Sequence, residues 1–122
     1  MSKKVLAIDD EQIVLDSIKK ILIPEGFLVD VTLESRVGIY KAIYEQYDIV
    51  LTDIKMPDSD GIKVLQDIRK FKADLPVVII TGYATVNSAI QAMKIGANNY
   101  IEKPFTPEQL IETVKGALDI SK

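Results

Sequence analysis

The sequence predicts an α/β fold, a parallel sheet with helices on both faces, and three observations carry that prediction. Short β-rich runs alternate five times with longer stretches of helical period. Alternation of this kind builds right-handed βαβ units, whose crossovers cover both faces of a doubly wound, five-stranded parallel sheet. The chain has 122 residues, 48% hydrophobic and 27% charged, which suits a soluble globular chain with a sizeable core rather than a disordered one. No internal repeat, linker or composition shift interrupts it, so 1–122 reads as a single domain.

The elements follow in order. Val5-Leu6-Ala7-Ile8 is a buried strand, and Ile13, Val14, Ile18, Ile21 and Leu22 are expected to share one face of the helix after it. Pro24-Glu25-Gly26 ends that helix, Phe27 to Val31 is the second strand, and a helix runs from about Ser35 to Gln46. Asp48 to Asp53 is the third strand and Gly61 to Lys72 the third helix. Val77 to Thr81 is the fourth strand, Thr85 to Ile95 the fourth helix, and Asn99 to Glu102 a short fifth strand. The last helix has the clearest start: Thr106 as N-cap, Pro107 at the first helical position and Gln109 at the third.

Composition removes whole reaction classes. With no Cys there is no disulfide, thiol nucleophile or thiolate metal site. With no His, imidazole bases and imidazole zinc sites are impossible within this chain, so any chemistry uses carboxylates, Lys, hydroxyls or a group supplied by another molecule. The formal net charge of −3 and the lack of a basic stripe interleaved with aromatics argue against direct nucleic-acid binding. The longest apolar runs, Val5 to Ile8 and Val77 to Ile80, fall far short of the roughly 18 residues a membrane helix needs. Met1-Ser2-Lys3-Lys4 leads into only a short apolar run before Asp9, too short for a secretory signal, and a cytoplasmic location is the expectation.

In an open parallel sheet, ligands bind beyond the carboxyl ends of the strands. There the first strand ends in Asp9-Asp10, the third in Asp53, the fourth in Thr81 and the fifth in Lys103. Singly, each has an ordinary explanation: Asp10 could cap a helix, and a polar residue closing a strand is usually a turn signal. Together they collect three carboxylates, a hydroxyl and an ammonium on one edge. Two carboxylates ~5 Å apart repel by roughly 3 kcal/mol at an effective dielectric of about 20, so the cluster calls for a cation. All-oxygen ligands favour a hard divalent ion, Mg²⁺ first and Mn²⁺ or Ca²⁺ next.

Taken as a set, Asp9-Asp10, Asp53 followed by Met56-Pro57 and Asp60-Gly61, Thr81-Gly82 and Lys103-Pro104 resemble the receiver domain of two-component response regulators, across essentially the whole chain. The stretch from Thr81 to Ala97 further resembles receivers of enhancer-binding, sigma-54-dependent activators. The resemblance implies a flavodoxin-like sheet of order 2-1-3-4-5. It also implies transfer of a phosphoryl group from a phosphohistidine on a sensor histidine kinase to Asp53, with Mg²⁺ held by Asp10, Asp53 and the backbone carbonyl of Lys55 and oriented by Asp9. Thr81 and Tyr100 would be the switch residues, acting on the surface of the fourth helix, fifth strand and fifth helix toward an output domain or downstream protein. Lys103-Pro104 would be a cis peptide. The missing His fits, since the donor comes from another protein.

By the same resemblance, Lys55 and Tyr83 occupy the positions that influence the lifetime of the acyl phosphate. Ser59 stands where a hydrophobic residue is usual, and Asp58 adds a carboxylate near Asp53. Ile90 and Met93 either form a homodimer face or pack onto the sheet. Two rivals share the architecture. A haloacid-dehalogenase-type phosphatase needs a second Asp two residues past the first, where this chain has Lys55. An FMN-binding module needs a Ser/Thr/Gly-rich phosphate loop, where Asp9-Asp10-Glu11 would repel phosphate.

Overall fold

A computed structural model describes residues 2–56, 59–82 and 85–119. Five strands form one parallel sheet: β1 (Lys4–Ile8), β2 (Leu28–Thr32), β3 (Ile49–Thr52), β4 (Val77–Thr81) and β5 (Asn99–Glu102). Their order is β2-β1-β3-β4-β5, as the resemblance implies. Five helices intervene: α1 (Gln12–Leu22), α2 (Ser35–Tyr44), α3 (Gly61–Phe71), α4 (Val86–Ile95) and α5 (Pro107–Ala117). A two-residue antiparallel ladder pairs Lys55–Met56 with Ser59–Asp60 after β3.

Period-two alternation sends successive strand residues to opposite faces. Leu6, Ile8, Val50, Val77 and Ile79 enter one core with Ala42 of α2, Leu65 and Ile68 of α3 and Ala92 of α4. Val5, Ala7, Ile49, Leu51, Val78 and Ile80 enter the other, with Leu15, Ile18 and Leu22 of α1 and Leu110 and Val114 of α5. Because both faces are covered, β1, β3 and β4 read as continuous apolar runs, the pattern of buried parallel strands. Gly38 is where α2 comes closest to the sheet, since a Cβ there would overlap the Ile8 side chain.

Several boundaries shift. Ile13 is 73% exposed: at 100° per residue it lies about 140° from Ile18, so it does not belong to the face formed by Leu15, Ile18 and Leu22. A 3₁₀ turn, Ile23–Glu25, extends α1 before Gly26 closes it at φ 96°. β2 begins at Leu28 and β3 spans only Ile49–Thr52. The second helix stops at Tyr44, because Glu45 turns extended as the chain leads into buried Tyr47, whose hydroxyl donates to Asp30 at 2.7 Å. Thr85 is the N-cap of α4, in a reciprocal capping box with Ser88. Thr106, Pro107 and Gln109 start α5 as expected, also with a capping box. Ile90 and Met93 are 50% and 47% exposed, so they do not pack onto the sheet.

Candidate functional site

Strand register decides which polar residues meet. Ile8 of β1 lies beside Thr52 of β3, so the residues that follow them, Asp9 and Asp53, leave the sheet side by side. The Asp53 N–H donates to the Ile8 carbonyl at 3.1 Å, and the Asp9 N–H to the Thr32 carbonyl at 3.2 Å. Both carboxylates are therefore fixed by the ladder, and the two residues are only 2% and 3% exposed. One oxygen each from Asp9, Asp10, Glu11 and Asp53 lies within 4.8 Å of the others, with Asp10 and Glu11 open to solvent.

Lys103 arrives from the end of β5. Its backbone N–H donates to the Thr81 carbonyl at 2.9 Å, which ties the ends of β4 and β5 together, and the Lys103-Pro104 bond is cis. The ammonium sits 2.8 Å from Asp53 Oδ2, 2.9 Å from Asp9 Oδ2 and 3.0 Å from Glu11 Oε1. Asp53 Oδ1 accepts the Lys55 backbone N–H at 3.2 Å, and Asp9 Oδ1 accepts the Glu11 N–H at 2.9 Å. These bonds hold each buried carboxylate from two sides.

Burial pushes the Asp9 carboxyl above the ordinary carboxylate range, and the nearby Asp53 charge adds to it. The hydrogen bonds from Lys103 and the Glu11 N–H only partly oppose the shift. Burial would lower the Lys103 ammonium, yet hydrogen bonds to Asp53, Asp9 and Glu11 outweigh it and the group is raised, hence firmly charged at neutral pH. Among the described residues the Lys103 ammonium contacts three of the four gathered carboxylates, which leaves negative charge in excess. The donors are all hard oxygens, half of them water-accessible, and that set fits a partly hydrated Mg²⁺.

The structure thus brings Asp9, Asp10, Asp53, the Lys55 backbone and Lys103 to one edge, with Thr81 buried at the end of β4 beside them. Among the described residues, its chain neighbours aside, a Cβ at Gly82 would meet only Lys103 Cβ, at 4.0 Å. Tyr100 stands apart from the acids: it is half-buried, neighbours Ile79 in the β4–β5 register, and its hydroxyl is 3.0 Å from Ser88 Oγ in the first turn of α4. Glu11 was missed by the sequence reading. Its position directly after the Asp pair, where the chain turns into α1, was the available signal. Asp58 and Tyr83 lie outside the described residues.

Comparison with known proteins agrees with this geometry. A family model described as "Response regulator receiver domain" matches residues 5–115. The chain is similar to the regulatory protein AtoC of Escherichia coli, 33% identical over 117 residues that cover 96% of this chain and 25% of that protein. Among solved structures it is similar to a CheY-like response regulator receiver domain protein from Methanospirillum hungatei, with TM-score 0.93, 34% identity and coverage of 98% and 95% of the two chains. It is also similar to the beryllofluoride-activated NtrC4 receiver domain dimer, with TM-score 0.90, 34% identity and coverage of 95% and 96%. The chain spans from a quarter to a little over half the length of the curated relatives it matches. On a match to nearly its whole length and on relatives of this identity, the chain belongs to the response regulator receiver domain family.

Proposed function

We propose that this chain is a phospho-acceptor signalling domain in which Asp53 takes a phosphoryl group from the phosphohistidine of a sensor histidine kinase. The observation that carries the reading is the Lys103 ammonium held 2.8 Å from Asp53 Oδ2 inside a cluster of uncompensated carboxylates. An Asp53 carboxylate oxygen forms the new P–O bond while the donor's P–N bond breaks, and the departing imidazole keeps the electron pair and takes up a proton. Lys103 meets the negative charge of the incoming group, and the Lys55 N–H holds the second Asp53 oxygen, so the nucleophile is aimed before the donor arrives. Mg²⁺, held by Asp10, Asp53 and the Lys55 carbonyl with Asp9 orienting it, would supply positive charge to the phosphoryl oxygens, and Mn²⁺ would substitute. The product is an acyl phosphate that water hydrolyses, so the domain acts as a self-limiting regulator and not as a turnover enzyme.

The phosphoryl group adds about −1.5 to −2 charges and three acceptors beside the end of β4. Thr81 donates its hydroxyl to that group, and Tyr100, one strand over, responds by turning inward and leaving Ser88. The surface of α4, β5 and α5 then changes for an output domain or downstream protein, with Ile90 and Met93 offering a homodimer face. We place this activity in a cytoplasmic transcription-regulating pathway, as a single 1–122 domain without nucleic-acid or membrane contacts of its own; among the described residues no helix is long and apolar enough to cross a membrane. Acetyl phosphate with Mg²⁺ is expected to add about 80 Da to the intact mass, and Asp53→Asn to abolish the gain. Labelling that persists in Asp53→Asn overturns the assignment.

A further inference from the structure

We infer that the outer face of α2 is an interface between two copies of this chain docked antiparallel, independent of phosphorylation and distinct from the α4 face. Val37, Tyr40 and Tyr44 recur at spacings of three and four along α2, which lines them up on one side of the helix, and Leu33 lies two residues before its first turn. All four are exposed, at 45%, 39%, 62% and 68%. The opposite side, with Gly38 against Ile8 and Ala42 in the core, is the one that holds α2 on the sheet, so α2 cannot roll to bury the stripe. The two tyrosine rings lie 4.8 Å apart between centroids and form one slab instead of reaching separately into water.

The order of side chains selects the occupant and its direction. About a two-fold axis midway between residues 38 and 39, Val37 of one copy faces Tyr40 of the other, and Tyr44, at the carboxyl end of α2, reaches the segment before the amino end of the second helix, where Leu33 lies. Every aromatic then meets a smaller aliphatic, so the stripe is complementary to itself. A parallel arrangement stacks like on like and sets Glu34 against Glu34 and Lys41 against Lys41. The antiparallel one brings Lys41, near the carboxyl end of α2, toward Glu34 at the amino end of the second copy, and opposes the two helix dipoles.

Two half- to two-thirds-exposed tyrosines and two smaller, less exposed aliphatics offer roughly 400 Å² per copy and roughly 800 Å² in the pair. That falls below the roughly 1,200 Å² of stable, specific contacts and predicts a weak, concentration-dependent dimer.

Sedimentation equilibrium of Asp53→Asn, which cannot be phosphorylated, tests this over about 10 μM to 1 mM, the range of a weak interface. The mass should climb from the monomer value of 13.6 kDa toward twice that. In the same background Tyr40→Glu, at an exposed site and checked for folding by circular dichroism, should lower the association constant at least tenfold, while Ile90→Lys leaves it unchanged. Lys41→Glu should weaken association, and adding Glu34→Lys should restore it. Because the chain has no Cys, Leu33→Cys mixed with Tyr44→Cys should cross-link as the mixed pair faster than either alone. A monomer throughout the range, indifference to Tyr40→Glu, loss with Ile90→Lys, or equal cross-linking rates would each overturn the interface. None of these outcomes bears on whether Asp53 accepts phosphate.

Discussion

Removing Lys103 is the perturbation whose size the structure fixes best. Lys103→Met keeps most of the aliphatic stem and deletes the charge. The side chains of Asp9 and Asp53 are then left 2% and 4% exposed with no cation between them. Carboxylate oxygens no more than 4.8 Å apart repel by about 3.5 kcal/mol at an effective dielectric of about 20. Breaking a buried pair by deleting one partner costs about 3–5 kcal/mol. The variant should thus lose about 3 kcal/mol at pH 7 in metal-free buffer, or roughly 10 °C in Tm for a domain of this size.

Two controls separate electrostatics from packing in that experiment. The ammonium is raised in the fold, so its stabilisation is complete at pH 7 and is lost only as pH climbs above its ordinary value. Without Lys103 the Asp9 carboxyl, already raised, must rise further, because the hydrogen bond and charge that oppose its burial are gone. A folded-state carboxyl above its unfolded value loses stability as pH rises from the unfolded value through the folded one, so the deficit of the variant grows from about pH 4 to pH 7. Urea denaturation at pH 4.5 and pH 7, with and without Mg²⁺, reads both effects. The deficit should shrink at low pH and in saturating Mg²⁺. A loss under about 1 kcal/mol, or one indifferent to both pH and Mg²⁺, would refute the reasoning.

Asp9→Asn should stabilise the metal-free protein at pH 7, because burial and the Asp53 charge disfavour the ionised Asp9; the gain should fade as pH drops through the ordinary carboxylate range, where Asp9 becomes protonated in the unfolded chain as well, read by urea denaturation. Wild-type Tm should rise with Mg²⁺ concentration, and Asp10→Asn should flatten that rise, both read by differential scanning fluorimetry. Arg69→Met should cost about 2–3 kcal/mol in urea denaturation, because the guanidinium donates to the carbonyls of Gly96, Lys72 and Leu75 and to Asn98 Oδ1. Gly38→Ala should cost about 1–3 kcal/mol by overpacking against Ile8, unless α2 shifts outward.

What could be read from the sequence divides along physical lines. The strands β1, β3 and β4 were visible because burial on both faces writes them as unbroken apolar runs, and α5 because Thr106, Pro107 and Gln109 carry local capping chemistry. Asp9, Asp53 and Lys103 were visible because nothing in packing needs a charged residue directly after such strands. The reading failed where tertiary contacts decide. Ile13 has the right hydrophobicity but the wrong angle. The end of α2 is set by the chain reaching for the Tyr47 site, and Glu11 meets Lys103 across 92 residues of sequence. The capping Ser88 gave no sign that its hydroxyl also meets Tyr100, since that contact depends on how α4 lies over β5.

The placement of the acids supplies what the proposed switch requires. Pairing of Ile8 with Thr52 leaves Asp9 and Asp53 adjacent whatever their charges prefer, and the surrounding strands, with Val5, Leu6, Ile49, Val50, Val77 and Val78 fully buried, supply the stability that enforces it. Charge repulsion is thus built into the edge of a rigid sheet and answered, among the described residues, by the Lys103 ammonium. An added positive charge there would be favoured, and an added negative group would press on its neighbours, because the packed sheet beneath yields little. The neighbour best placed to move is Thr81, whose strand is joined to β5 through the Lys103 N–H and lies beside Tyr100 in register. A more stable arrangement, with Asn at either buried position, would relieve the repulsion and with it the reason for the site to respond.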